Sequence, residues 1–189
     1  MNLKLLQEPM LYTFLERVDH DIAEETRREG CPCGGVLHSA RYPRKPRGGL
    51  ESLKWDSRWS FCCAAEGCRH RRTPPSVRFL GRKVYLGVVV VLVAAMMHGP
   101  DGKRVGKLHE ELGIDRRTLE RWREWWLKTF VETKFWKAQR GQLMPPVDEE
   151  HLPLSLVERF QASAKGRLVD LMRFLSPITT TWAAVEVAF

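Results

Sequence analysis

Five cysteines, Cys31, Cys33, Cys62, Cys63 and Cys68, crowd one short stretch of a 189-residue chain. Thiolates clustered in this way are soft ligands for a tetrahedral metal ion, and a structural zinc site takes four of them. Two knuckles are visible, Cys31-Pro32-Cys33-Gly34-Gly35 and Cys62-Cys63-Ala64-Ala65-Glu66-Gly67-Cys68, with glycines that let the backbone curl around an ion. Strand alternation selects among the thiols. Trp55, Ser57, Trp59, Phe61 and Cys63 share one face of an extended segment, while Lys54, Asp56, Arg58, Ser60 and Cys62 share the other. The expected ligands for Zn2+ are therefore Cys31, Cys33, Cys63 and Cys68, with Cys62 pointing away. A Cys-x-Cys knuckle is tighter than the usual Cys-x2-Cys, which leaves Cys62 and His70 as alternative ligands. His38 reads as packed. The local carboxylates, Glu51, Asp56 and Glu66, lack the His-Glu spacing of a catalytic site, so the metal reads as structural.

Positive charge gathers around these knuckles. Residues 41–83 hold 12 basic and 3 acidic side chains, a net of +9, against +8 for the whole chain and a net of −3 (4 basic, 7 acidic) for residues 1–30. A local excess of this size favours a polyanionic partner, nucleic acid ahead of an anionic membrane, and argues against an enzyme for acidic substrates. The arms Arg41 to Gly49 and Arg69 to Pro75 are punctuated by prolines, which keep them extended so that Arg44, Lys45, Arg47, Arg71 and Arg72 can track phosphates. A solvated Arg-rich loop joining two strands is the plainer alternative.

A second motif follows at 105–126. Leu108 and Leu112 face inward on a first helix, Gly113 supplies the turn, and Ile114 plugs the angle. Asp115 is a natural N-cap, and Leu119, Trp122 and Trp126 form the buried stripe of a second helix. Arg116, Arg117, Thr118 and Arg121 remain on the outward amino-terminal part, where a recognition helix meets base edges in the major groove of double-stranded DNA.

The elements that position these groups divide the chain into four expected parts. Residues 1–30 carry an amphipathic helix opening at Pro9, with Leu11, Phe14, Leu15, Val18 and Ile22 inward and Glu16, Arg17, Asp19 and Asp21 elsewhere. Residues 31–76 read as a small β zinc ribbon with basic arms. Residues 77–140 read as the helix-turn-helix bundle, supported by the uncharged run 84–97, which at 14 residues is too short to span a membrane. Residues 141–189 read as a linker and carboxy-terminal helices broken near Gly166. The fold class is mainly α with a small β zinc ribbon. Met1 to Glu8 carries no apolar signal core, so a cytoplasmic, nucleoid-associated protein without a membrane partner is expected.

The ribbon CPCGG…FCCAAEGCRHRRTPPSVRFLGR followed by a helical segment and a helix-turn-helix resembles the amino-terminal DNA-binding region of bacterial insertion-sequence transposases and small accessory proteins of mobile elements. The resemblance spans roughly residues 31–128. It implies metal binding by Cys31, Cys33, Cys63 and Cys68, DNA reading by Arg116, Arg117 and Arg121, and a role in transposition. The acids after residue 128 show no alternating strands to carry a catalytic triad, so no catalytic residues are expected and the chain is not read as an enzyme. Leu154, Val157, Phe160, Leu168, Leu171, Met172 and Leu175 instead offer an apolar face for homodimerisation or for docking on a catalytic protein partner. A transcriptional regulator is the neighbouring reading. A protein- or RNA-binding adaptor is the rival.

Overall fold

The computed structural model describes residues 3–44, 57–80, 87–96, 106, 109–160 and 163–180. A 3-10 turn, Leu3–Gln7, leads into the long helix α1, Pro9–Glu29, with proline in its first turn and Gly30 at φ 70° just past its end. Leu11, Leu15 and Val18 face the core as expected. Phe14 does not, being 42% exposed, and Asp19 takes the place expected for an apolar side chain, at 2% exposure. Its carboxylate is buried because a later segment satisfies it: Val77 N at 2.6 Å, Ser76 Oγ at 2.7 Å and Arg78 Nε at 2.8 Å all donate to it.

Five short strands follow: β1 (Leu37–Ser39), β2 (Tyr42–Pro43), β3 (Ser57–Arg58), β4 (Phe61–Cys63) and β5 (Arg71–Arg72). They form an antiparallel sheet in the order β1-β4-β5, with Leu37 opposite Cys63 and Cys62 opposite Arg71, and a separate β2-β3 pair. The single strand expected over 55–63 is thus two where it is described, and residues 45–56 lie outside the described residues. Burial alternates across β4 and over 57–60, but in opposite phase, with Ser60 and Phe61 both buried where the chain passes from one sheet to the other. Arg58 and Ser60 are buried instead of facing out, at 3% and 0% exposure. Arg58 spends its guanidinium on backbone carbonyls, donating to Thr179 O at 2.6 Å and Pro74 O at 3.4 Å.

The helical part is built around α2 (Gly87–Met96), whose Val88, Val89, Val90, Val91 and Val93 are each 0% exposed. Apolar side chains all round mark a central helix, and each buried valine contributes roughly 1.5–3 kcal/mol. Against it pack α3 (Arg116–Glu124) and, beyond α4 (Lys134–Gln139), α5 (Leu154–Val157) and α6 (Ala164–Leu175). A π-helical turn, Trp125–Thr129, extends α3 and delivers Trp125, Trp126 and Phe130 to an aromatic cluster closed by Trp136. The break expected at Gly166 is not there. Gly166 sits in the first turn of α6, where Ser163 Oγ accepts its N–H at 3.2 Å.

Leu168, Leu171, Met172 and Leu175 are buried in the chain's own core together with Val157, and Phe160 packs against it. Most of the apolar face expected for dimerisation or docking therefore packs within the chain, while Leu154 and Phe160 are half-buried. A second, smaller core joins Leu37, Phe61, Cys31 and Cys63 to Ala23 of α1, so one helix serves both cores. The described chain is mainly helical with a small antiparallel sheet, and among the described residues no helix is long and apolar enough to cross a membrane.

Candidate metal centre

Cys31 follows directly on Gly30, at the start of a tight turn in which Gly34 N donates to Cys31 O at 2.8 Å and Cys31 N to Gly35 O at 3.2 Å. Gly34 adopts φ 82°, a conformation that favours glycine. Gly35 is required for a different reason. A Cβ there would lie 2.5 Å from Cys63 Sγ, 2.9 Å from Ala65 Cβ and 3.3 Å from Cys33 Sγ, so only a bare backbone lets the two knuckles close. The second knuckle starts at the end of β4, turns at Gly67 (φ 81°) and returns through Cys68 N, which donates to Ala65 O at 3.2 Å.

These turns bring the sulfurs of Cys31, Cys33, Cys63 and Cys68 within 4.8 Å of one another. Cys33 and Cys63 are 3.5 Å apart and Cys31 and Cys68 are 3.7 Å apart, with no disulfide between any of them. A tetrahedron of sulfurs at 2.3 Å from a central ion has edges of about 3.8 Å, so the spacing fits a four-thiolate metal ion. Cys62 points the other way, its thiol directed at Arg69 O at 3.6 Å, and His70 is exposed outside the cluster. His38, expected to be packed, is exposed, because the pleat of β1 sends Leu37 inward instead.

The thiols differ in ionisation. The Gly35 N–H, followed by the thiols of Cys68, Cys31 and Cys63, draws the Cys33 pKa down to about 7. At Cys63 the Ala65 N–H favours the thiolate, but burial and the three neighbouring thiols outweigh it and push the pKa up to about 12. Cys68 is raised too: the His70 N–H lowers it, while Cys33, burial and Cys31 raise it. Four sulfurs this close cannot all carry charge in the absence of a cation. A metal cation would supply that charge, and the arrangement is suited to holding one.

The basic residues fare unequally. Arg44 is half-buried near the rings of Tyr42 and Phe79, and Lys45 and Arg47 lie outside the described residues. Arg71 is exposed. Arg72 is tied down, donating to Glu29 Oε2 at 2.7 Å and to Gly30 O at 2.5 Å, which fastens the ribbon to the end of α1. Trp59, expected on the face of Phe61 and Cys63, is half-buried against the smaller core, with the Arg41 guanidinium 3.2 Å from its ring centre and the His20 ring in a T-shaped contact at 5.3 Å.

In the second motif, residues 106 and 109–112 are helical, Gly113 has φ 62° and Ile114 is fully buried; Leu108 lies outside the described residues. Asp115 caps α3 by accepting from Thr118 N at 2.8 Å, and that bond, followed by the Thr118 hydroxyl, holds its carboxyl below the usual range. Thr118 is buried instead of outward: its hydroxyl donates to Asp115 Oδ2 and accepts from Arg121 at 2.9 Å. Arg116 pairs with Glu120 at 2.8 Å. Arg117 is exposed, beside a shallow concavity of about 700 Å³ that it lines with Asp115, Glu120, Arg121 and Glu124. No family model matches the chain, and neither does any curated protein or solved structure.

Proposed function

We propose that the chain is a zinc-stabilised helix-turn-helix DNA-binding protein that acts without catalysis of its own, in the cytoplasm at the nucleoid. Its role is that of a targeting or accessory subunit of a mobile element or related nucleoprotein complex, or of a transcriptional regulator. The observation that carries the metal half is the spacing of four sulfurs, with paired separations of 3.5 and 3.7 Å. Support for the DNA half comes from α3. Leu119, Trp122 and Trp126 anchor one side of its course in the core, a carboxylate caps its start, and Arg117 stands on the open side with Arg116 and Arg121. A capped helix of that kind, following a glycine turn, can place arginines against guanine edges.

The test combines the zinc content of the purified chain with fluorescence anisotropy on mixed-sequence duplex, single strand and structured RNA across a salt series. One zinc per chain and a duplex preference with a log-log salt slope of about −0.9 per phosphate contacted support the reading. Flat, weak binding to all three nucleic acids overturns its DNA half.

A further inference from the structure

The four sulfurs of the cluster are not equally open. Cys33 is exposed, Cys68 half-buried, Cys31 only 6% exposed and Cys63 fully buried. The exposed thiol lies 3.5 Å from Cys63 Sγ, against 3.7 Å between Cys31 and Cys68. An S–S bond is about 2.05 Å long, so the two sulfurs need approach by only about 1.5 Å, within reach of small side-chain rotations. Cys62 is less well placed to intervene: it faces the opposite side of β4, with its thiol against Arg69 O and the Cys63 carbonyl.

We infer that Cys33 is an oxidative modification site for hydroperoxides, and that its oxidation closes a Cys33–Cys63 disulfide which releases the metal. The inference rests on the metal reading above for its consequence and on the sulfur geometry for its chemistry. The Cys33 sulfur attacks one peroxide oxygen, the O–O bond breaks, and the other oxygen takes up a proton and leaves as water from hydrogen peroxide or as an alcohol from an organic hydroperoxide, giving a sulfenic acid. The Cys63 sulfur then attacks the Cys33 sulfur. The S–S bond forms, the S–O bond breaks, and the sulfenic oxygen leaves as water with a proton from the Cys63 thiol or, where that sulfur is metal-bound, from solvent. Two thiols lose two electrons in total and one hydroperoxide gains them. The ion, left with two of its four thiolates, passes to solvent.

The experiment is a hydrogen peroxide titration of the zinc-loaded full chain, followed with a chromophoric zinc indicator and by mass mapping of peptides under non-reducing conditions. The expected result is Cys33–Cys63 as the first linkage, with free thiols falling from the five of the chain by two to three. One equivalent of zinc should appear per disulfide, and dithiothreitol with zinc should restore the starting state. The Cys62→Ser chain should give the same linkage at the same rate. A first linkage containing Cys62, a linkage of Cys31 to Cys68 ahead of Cys33–Cys63, or oxidation of Cys33 to sulfinic acid without a disulfide would each overturn the inference. The linkage map tests it with or without bound metal, whereas the zinc content before peroxide tests the metal reading alone.

Discussion

Asp19 and Arg78 stand 59 residues apart in sequence and form an ion pair of 2.8 Å with side-chain exposures of 3% and 2%. The pair fixes the middle of α1 to the segment that leaves the ribbon, and Arg78 extends the link by donating to Ser57 O at 3.0 Å. Two buried charges stabilise a fold only when each completes the other. Removing one leaves the other in a low-dielectric interior.

Asp19→Ala should therefore destabilise the chain by about 3–5 kcal/mol, read as a lowered denaturation midpoint. Glu124→Ala, which removes a partner from the exposed pair with Lys128, should leave the midpoint nearly unchanged. Equal shifts for the two variants would show that the Asp19 carboxylate carries no special weight.

At the metal centre, Cys63→Ser should abolish stoichiometric zinc, while Cys62→Ser should retain it, as measured by elemental analysis after dialysis. Loss from both would contradict the opposed orientations of these neighbours on β4.

Gly35→Ala tests the closeness of the knuckles without touching a ligand. Its Cβ would sit 2.5 Å from Cys63 Sγ, so zinc affinity should fall at least tenfold in competition with a chelator. An unchanged affinity would mean that the turn opens readily.

The arginines separate into those committed to the fold and those facing solvent. Arg117→Ala should weaken duplex binding and reduce the salt slope by about 1, whereas Arg72→Ala, whose guanidinium already serves Glu29 and Gly30 O, should act mainly on stability. Salt-dependent titrations and thermal melts distinguish the two outcomes.

Alkaline pH offers a further check. Burial raises the Tyr12 pKa from 10.0 to about 12, and its hydroxyl donates to Leu6 O at 2.8 Å. The folded state therefore holds this proton where the unfolded chain releases it. The contribution is complete below pH 10 and is lost as pH rises towards 12, by about 1.4 kcal/mol per pH unit. Tyr12→Phe should flatten that part of the stability profile; an identical slope in both proteins would assign the loss to other groups.

How much of this could be read from residue order follows from the range of each interaction. The Cys62 and Cys63 orientations were legible because β4 keeps the pleat through three residues. Asp115 as a cap and Gly113 as a turn were legible because their partners lie within a few positions. Asp19 and Arg58 were misplaced on solvent faces because periodicity sorts side chains by polarity, and their partners come from 16 to 121 residues away. Thr118 was misplaced on a smaller scale: its hydroxyl turns back to the cap it supports. The carboxy-terminal stripe was recognised as apolar, but a stripe alone does not say whether its cover comes from the same chain.

The bond from Arg58 to the Thr179 carbonyl spans 121 residues, whereas the four metal-site sulfurs lie within 37. At a synthesis rate of about 5–20 residues per second, the last of these cysteines is made roughly 2–7 s after the first, and Thr179 roughly 6–24 s after Arg58. During biogenesis the nascent knuckles have all their donors while the clasp between Arg58 and Thr179 is still unmade. Capture of an ion can thus precede closure of the fold, giving the growing chain a local anchor before its distant ends meet.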